Sequence, residues 1–197
     1  MKRQMEIKRK GISLKICVDF GYNPNPREED ENLGQMVCFH RRYNLGDKTN
    51  FKEPFEFNEW YEKHKRNIAQ CLPVYLLDHS GLAMSCFDFN DKWDSGQVGY
   101  IYCTKKRLKE LDMDKLDEME IKKRLINEVQ QYNDYLQGYP PYYYFCIRDE
   151  NDEIVDTITG FKGTDFKEMI DDMKGYVGEE YHFLFDTLYQ KENENCL

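Results

Sequence analysis

The chain has 197 residues, 40% hydrophobic and 33% charged, with 15 Tyr, 12 Phe and a formal net charge of −9. That length suits one domain with a sizeable core, and the aromatic content excludes a disordered chain. The negative balance argues against direct nucleic-acid binding, because phosphates would be repelled.

The opening MKRQMEIKRK carries no apolar segment long enough for a signal peptide or a membrane span, so a cytoplasmic protein away from the membrane is expected. Residues 1–6 are expected to fray. Residues 12–20, ISLKICVDF, alternate in part with period 2 and predict a strand. The stretch GYNPNPREEDENLG then precludes regular structure and reads as a solvated acidic loop. Residues 35–42, QMVCFHRR, predict a short strand ending in charge. Residues 58–70 predict a helix with Asn58 as N-cap and with Trp60, Tyr61 and His64 on its buried face.

Residues 72–77 and 98–103 are bounded by Pro, Gly, Asp and Ser, and predict two central strands enclosing a loop crowded with polar groups. Thr104 can cap a short helix. Asp112 or Asp114 is the expected cap of the longest helix, which ends near Leu136 before Gly138, Pro140 and Pro141. Its apolar stripe is expected to run from Met119 through Leu125, Ile126, Val129 and Tyr132 to Leu136, with Glu128 among the solvating residues. The runs YYYFCIR and EIVDTIT around DEND predict a β-hairpin. Asp165 and Glu168 then start a helix to about Lys174, a last helix covers 179–189, and residues 190–197 should fray. The fold class is α+β: one domain, with a mixed, mostly antiparallel sheet of six or seven strands and packed helices.

The seven cysteines show no CxxC pair or zinc-type spacing and sit mostly in apolar runs, so all seven are expected to be free thiols. The candidate site gathers three strand ends: His40, Arg41, Arg42 and Tyr43; Asp78, His79 and Ser80; and Trp93, Asp94, Ser95 and Gln97. Guanidinium forks beside a histidine suit an anion. Turn chemistry alone, with Trp93 lying over the core as a lid, accounts for the same residue types. Asp78, His79 and Ser80 are consecutive, point in alternate directions and form no triad among themselves; GxSxG, Walker and GxGxxG patterns are absent. His79 with Asp94 and a third ligand such as Asp78 or His40 would suit a divalent metal, but no ligand spacing marks such a site, so neither metal nor cofactor is expected.

The stretches NPREEDENLGQMVCFHRRYNLGD, LPVYLLDHSGLAMS and WDSGQVGYIYCTKKRL resemble an uncharacterised family of small proteins carried by phages, prophages and other bacterial mobile elements. The chain departs from that pattern in SCFDFNDKWDSG, and the resemblance assigns no catalytic residue. It implies an accessory protein in the bacterial host cytoplasm that binds a host protein or sequesters a small anionic ligand, inhibitors of bacterial defence included. The competing expectation is a hydrolase or nucleotide-modifying enzyme using His79 with Asp78 or Asp94.

Overall fold

The structure, a computed structural model, describes residues 3–194. The class is α+β, as expected, but the strands form two fully antiparallel four-stranded sheets in place of one mixed sheet. The chain divides into two compact units, one formed by Met1–Pro24 with Pro140–Leu197 and the other by Asn25–Tyr139.

In the first unit, β1 (Gln4–Arg9) and β2 (Ile12–Val18) form a hairpin whose two turn residues, Lys10 and Gly11, both have positive φ. That turn suits the right-handed twist of the paired strands. Residues 4–6 were expected to fray; Met5 and Ile7 instead point inward between solvated Gln4, Glu6 and Lys8. The strands β7 (Tyr142–Arg148) and β8 (Ile154–Lys162) are the expected hairpin and complete the order β1-β2-β7-β8. Helix α4 (Phe166–Lys174) starts at Asp165, whose side chain accepts from Glu168 N, and α5 spans His182–Glu194. Residues 190–194 are thus helical where fraying was expected. Leu14, Ile16, Phe145, Met173, Leu184 and Phe185 lie at the centre of the core these elements share.

The second unit sandwiches a sheet between helices. Its strands are β3 (Gln35–Cys38), β4 (Ile68–Asp78), β5 (Leu82–Ser85) and β6 (Ser95–Thr104), in the order β3-β6-β4-β5. The two strands expected to be central, β4 and β6, are neighbours, with Leu72 opposite Ile101. Alternation sends Met36, Val74, Leu76 and Ile101 to one face, under α3 (Glu118–Leu136), and Val37 and Tyr102 to the other, under α1 (Pro54–His64). The short α2 (Lys105–Glu110) is capped by Thr104, as expected.

Several boundaries differ from expectation for local reasons. Helix α1 begins at Pro54 because Glu53 and Glu56 form a capping box and proline fits the first turn, which leaves Asn58 inside the helix. Of its residues Phe57 is the buried one, while His64 is exposed and stacked on Trp60. The cap of α3 is Asp117, paired reciprocally with Glu120. Its buried stripe starts at Ile121 and includes Glu128, while Met119 is exposed. Strand β3 stops at Cys38, so residues 40–43 lie in a loop. Gly99 is demanded by packing: a Cβ there would lie 1.9 Å from Val37 O. Six cysteines, Cys17, Cys38, Cys71, Cys86, Cys103 and Cys146, are free thiols; Cys196 lies outside the described residues.

Candidate functional site

The β4–β5 turn and the segment entering β6 are held side by side by Asp78 N, which donates to Asp94 O at 2.8 Å. The turn Asp78–Leu82 is tight, with Ser80 at φ +58 and His79 N bonded to Gly81 O at 3.1 Å. This geometry brings His79 over Asp94: Nδ1 and Oδ2 are 2.6 Å apart. Asp91 organises the approach to β6. Its Oδ1 accepts from Trp93 N and Asp94 N, both at 2.8 Å, and the Ser95 hydroxyl donates to its carbonyl at 2.6 Å. The backbone N–H groups of Asp94 and then Trp93 hold the Asp91 carboxyl below the usual range, because they bond its charged form.

The 40–43 loop closes the other side. His40 Nδ1 accepts from Arg42 N and Tyr43 N, both at 3.3 Å, so Nε2 is the ring nitrogen left to donate. The His40 ring stacks on Tyr43 at 5.0 Å, and the Arg42 guanidinium lies over the same Tyr43 ring at 5.3 Å. Arg42 reaches across to ion-pair with Asp78, 36 positions away. Between these pieces lies an open cleft of about 310 Å³. Its lining includes His40, Arg42, Asp78, Trp93, Asp94, Ser95 and Gln97, above a floor of Phe39, Leu76 and Val98.

Four of the candidate residues, Arg41, Tyr43, His79 and Ser80, stand apart from the lining. Arg41 and Ser80 are exposed, and Tyr43 acts through its stacking under His40 and Arg42. Gln97 turns its amide back onto Gly99 O at 3.2 Å. Trp93 is no lid on the core: it is 92% exposed. Phe87, in the same β5–β6 connection, is also exposed.

Chemically, Arg42 and His79, two groups that could meet an anion, already have carboxylate partners, Arg42 in an ion pair with Asp78 and His79 in a hydrogen bond with Asp94. A histidine ring hydrogen-bonded through Nδ1 to a carboxylate has the orientation used by general bases. The neighbouring Ser95 hydroxyl, however, gives its proton to a backbone carbonyl. Among the described residues no group of three or more His, Cys, Asp or Glu side chains is placed to hold a metal ion.

Sequence reasoning passed over a second constellation. Arg27, read as part of a solvated loop, has a side chain only 2% exposed. It donates to Asp47 through Nε at 2.8 Å and Nη2 at 2.9 Å, to Glu128 at 2.9 Å, to Asn32 Oδ1 at 3.2 Å and to Gly34 O at 2.6 Å. Burial alone would push the Arg27 pKa down, but the bonds to Asp47 and Glu128 outweigh it and the net shift is upward. Glu128 also accepts from Leu33 N and Gly34 N, and Asp47 from Met36 N. The network pins residues 27–34 against α3 and β3, and so sets the start of the strand that leads to the 40–43 loop. The available signal was Glu128 itself, three residues after Leu125 and four before Tyr132 on the buried face of the helix.

No protein family, curated protein or solved structure matches the chain. No described helix is long and apolar enough to cross a membrane.

Proposed function

We propose that the protein works by binding, and that the rim formed by the 40–43 loop, the β4–β5 turn and residues 91–97 docks onto a partner protein. The observation that carries this reading is Trp93: an indole left 92% exposed at the edge of a cleft, on a turn fixed by the Asp91 hydrogen bonds. Exposing so large an apolar ring leaves unused a contribution that burial in an interface recovers, and Trp, Tyr and Arg dominate the energetics of protein–protein contacts. Arg42, stacked on Tyr43, stands across the same cleft. The internal pairing of Arg42 and His79 with carboxylates favours a protein partner over a small anion held by those two groups, since such an anion would have to displace Asp78 or Asp94. The phage-type resemblance supplies the partner's expected source, a protein of the bacterial host, and with it the expectation of an accessory role such as inhibition of defence.

The test is affinity capture from bacterial lysate with wild-type, Trp93→Ala and Arg42→Ala proteins as matched baits, followed by affinity measurement on the captured protein. Trp93→Ala should weaken binding by about 30-fold, the effect of removing one central aromatic anchor. A captured protein held equally well by all three baits would rule this rim out.

The His79–Asp94 hydrogen bond favours one second reading, a general base acting on a bound ester or nucleotide. Turnover that His79→Ala abolishes without changing the melting temperature would establish it in place of the docking role.

A further inference from the structure

The sheet of the first unit has two edges, and they are guarded differently. Strand β1 carries Glu6, Lys8 and Arg9, and Lys191 Nζ donates to Glu6 O at 3.1 Å. Charges along an edge keep it from pairing with another chain. Strand β8 lies at the opposite end of the order β1-β2-β7-β8, with no strand on its outer side among the described residues. Asp156 is the one charged residue from Ile154 to Phe161, and Ile154, Val155, Thr157, Ile158 and Thr159 are β-branched, the type that favours strands. Ile154 is 57% exposed and Val155 43%. An edge strand turns alternate N–H and C=O groups away from its sheet, so this one offers backbone donors and acceptors with little charge to repel a strand. The edges of the other sheet are short: β3 and β5 have 4 residues each, and Gly46 bridges Val37 on β3.

The ends of β8 select the partner. Glu153 precedes its first residue and Lys162 is its last; both are exposed, and neither is ion-paired among the described residues. Glu153 lies 4 positions before Thr157, and Lys162 lies 5 after it. A second β8, antiparallel to the first about a two-fold axis at Thr157, therefore sets Glu153 of each copy beside Lys162 of the other, once at each end. With the axis at a residue, positions opposite one another share a face, as the pleat requires.

We propose that a second copy of this chain pairs along β8, giving a two-fold dimer with a continuous eight-stranded sheet. The guarded β1 edge stops addition at two copies. Val155 and Gly160 fall at register shifts against β7, which leaves residues 156–159 as the regular run. The new ladder is accordingly short, and the dimer belongs among weak, reversible interfaces.

Sedimentation velocity of the full chain tests this, with a dissociation constant expected at about 10–100 μM. Glu153→Lys and Lys162→Glu each place like charges at both contacts and should weaken the dimer by about tenfold. An equimolar mixture of the two variants joins opposite charges at every contact again and should dimerise as the wild type does. Both positions are exposed, and recovery in the mixture also shows that both variants are folded. A wild-type chain still monomeric at about tenfold above that range overturns the proposal. So does a dimer indifferent to both substitutions, a mixture no tighter than its components, or growth past the dimer with concentration.

Discussion

Removing the Arg27 guanidinium tests how the acidic loop is held. Arg27→Ala deletes the five hydrogen bonds from Arg27 to Asp47, Glu128, Asn32 and Gly34, and leaves two carboxylates facing each other without a cation. Breaking a buried ion pair by deleting one partner typically costs about 3–5 kcal/mol. Here the lower end applies, because Glu128 keeps the N–H groups of Leu33 and Gly34 and Asp47 keeps that of Met36. The expected loss is therefore about 3 kcal/mol. With a urea slope of about 2 kcal/mol/M, the unfolding midpoint should fall by about 1.5 M. Both tryptophans, Trp60 and Trp93, lie in the Asn25–Tyr139 unit, so intrinsic fluorescence follows that unit selectively even if the two units unfold in separate steps. A double-mutant cycle with Glu128→Gln should show coupling of at least about 1 kcal/mol. A loss under about 1 kcal/mol for Arg27→Ala, or additive behaviour in the cycle, would mean that the network is a solvated arrangement of the kind surface pairs make.

Three further outcomes are expected. Gly99→Ala forces a methyl group to within 1.9 Å of Val37 O and should cost about 3 kcal/mol or more in urea unfolding, since β3 must move away from β6; a cost under 1 kcal/mol would show that the strand pairing is looser than described. Burial pushes the Cys38 thiol up to about 12 and those of Cys71, Cys86 and Cys103 to about 11, so these four should resist thiol reagents at pH 8 in the native state and react fully in denaturant. The sign for stability follows: above the ordinary thiol value of 9.0 the unfolded chain releases protons that the folded chain retains, so stability should decline from pH 9 upward through the raised values, and a flat alkaline limb would contradict it. Trp93→Ala should leave the unfolding free energy within about 0.5 kcal/mol of wild type, because the ring is exposed; a larger loss would show that the indole supports the fold and is not reserved for a partner.

Elements whose identity depends on near neighbours were legible in the sequence. The β7–β8 hairpin, the Thr104 and Asp165 caps and the β4/β6 pair all follow from runs, turn residues and caps only a few positions apart. Strand β1 was missed because the charges in QMEIKR conceal an ordinary alternation, in which only Met5 and Ile7 face inward. The 4-residue β5 is too short to show a period, and its place on the outer edge of β4 is set by the turn at Ser80 and Gly81. The division of the strands into two sheets was hidden for a different reason. Strands β2 and β7 are adjacent in space yet separated by the whole 25–139 insertion, and no local pattern records which distant strand completes a sheet.

The candidate site divides along the same line. That residues 78–80 and 94–97 lie together follows from antiparallel neighbours whose ends meet, here joined by Asp78 N to Asp94 O. What the sequence could not disclose is which charges cancel. Arg42 and His79 were candidate groups for holding an anion, but folding gives Arg42 to Asp78 and sets His79 against Asp94, while the buried cation is Arg27, whose partners lie 20 and 101 positions away. Ion pairing depends on which side chains converge in space, and residue type constrains that only weakly. The consequence bears on mechanism. With Arg42 and His79 already paired to carboxylates, the distinguishing property of the rim becomes the unburied Trp93 beside an Arg42–Tyr43 stack, the feature on which the proposed protein docking rests.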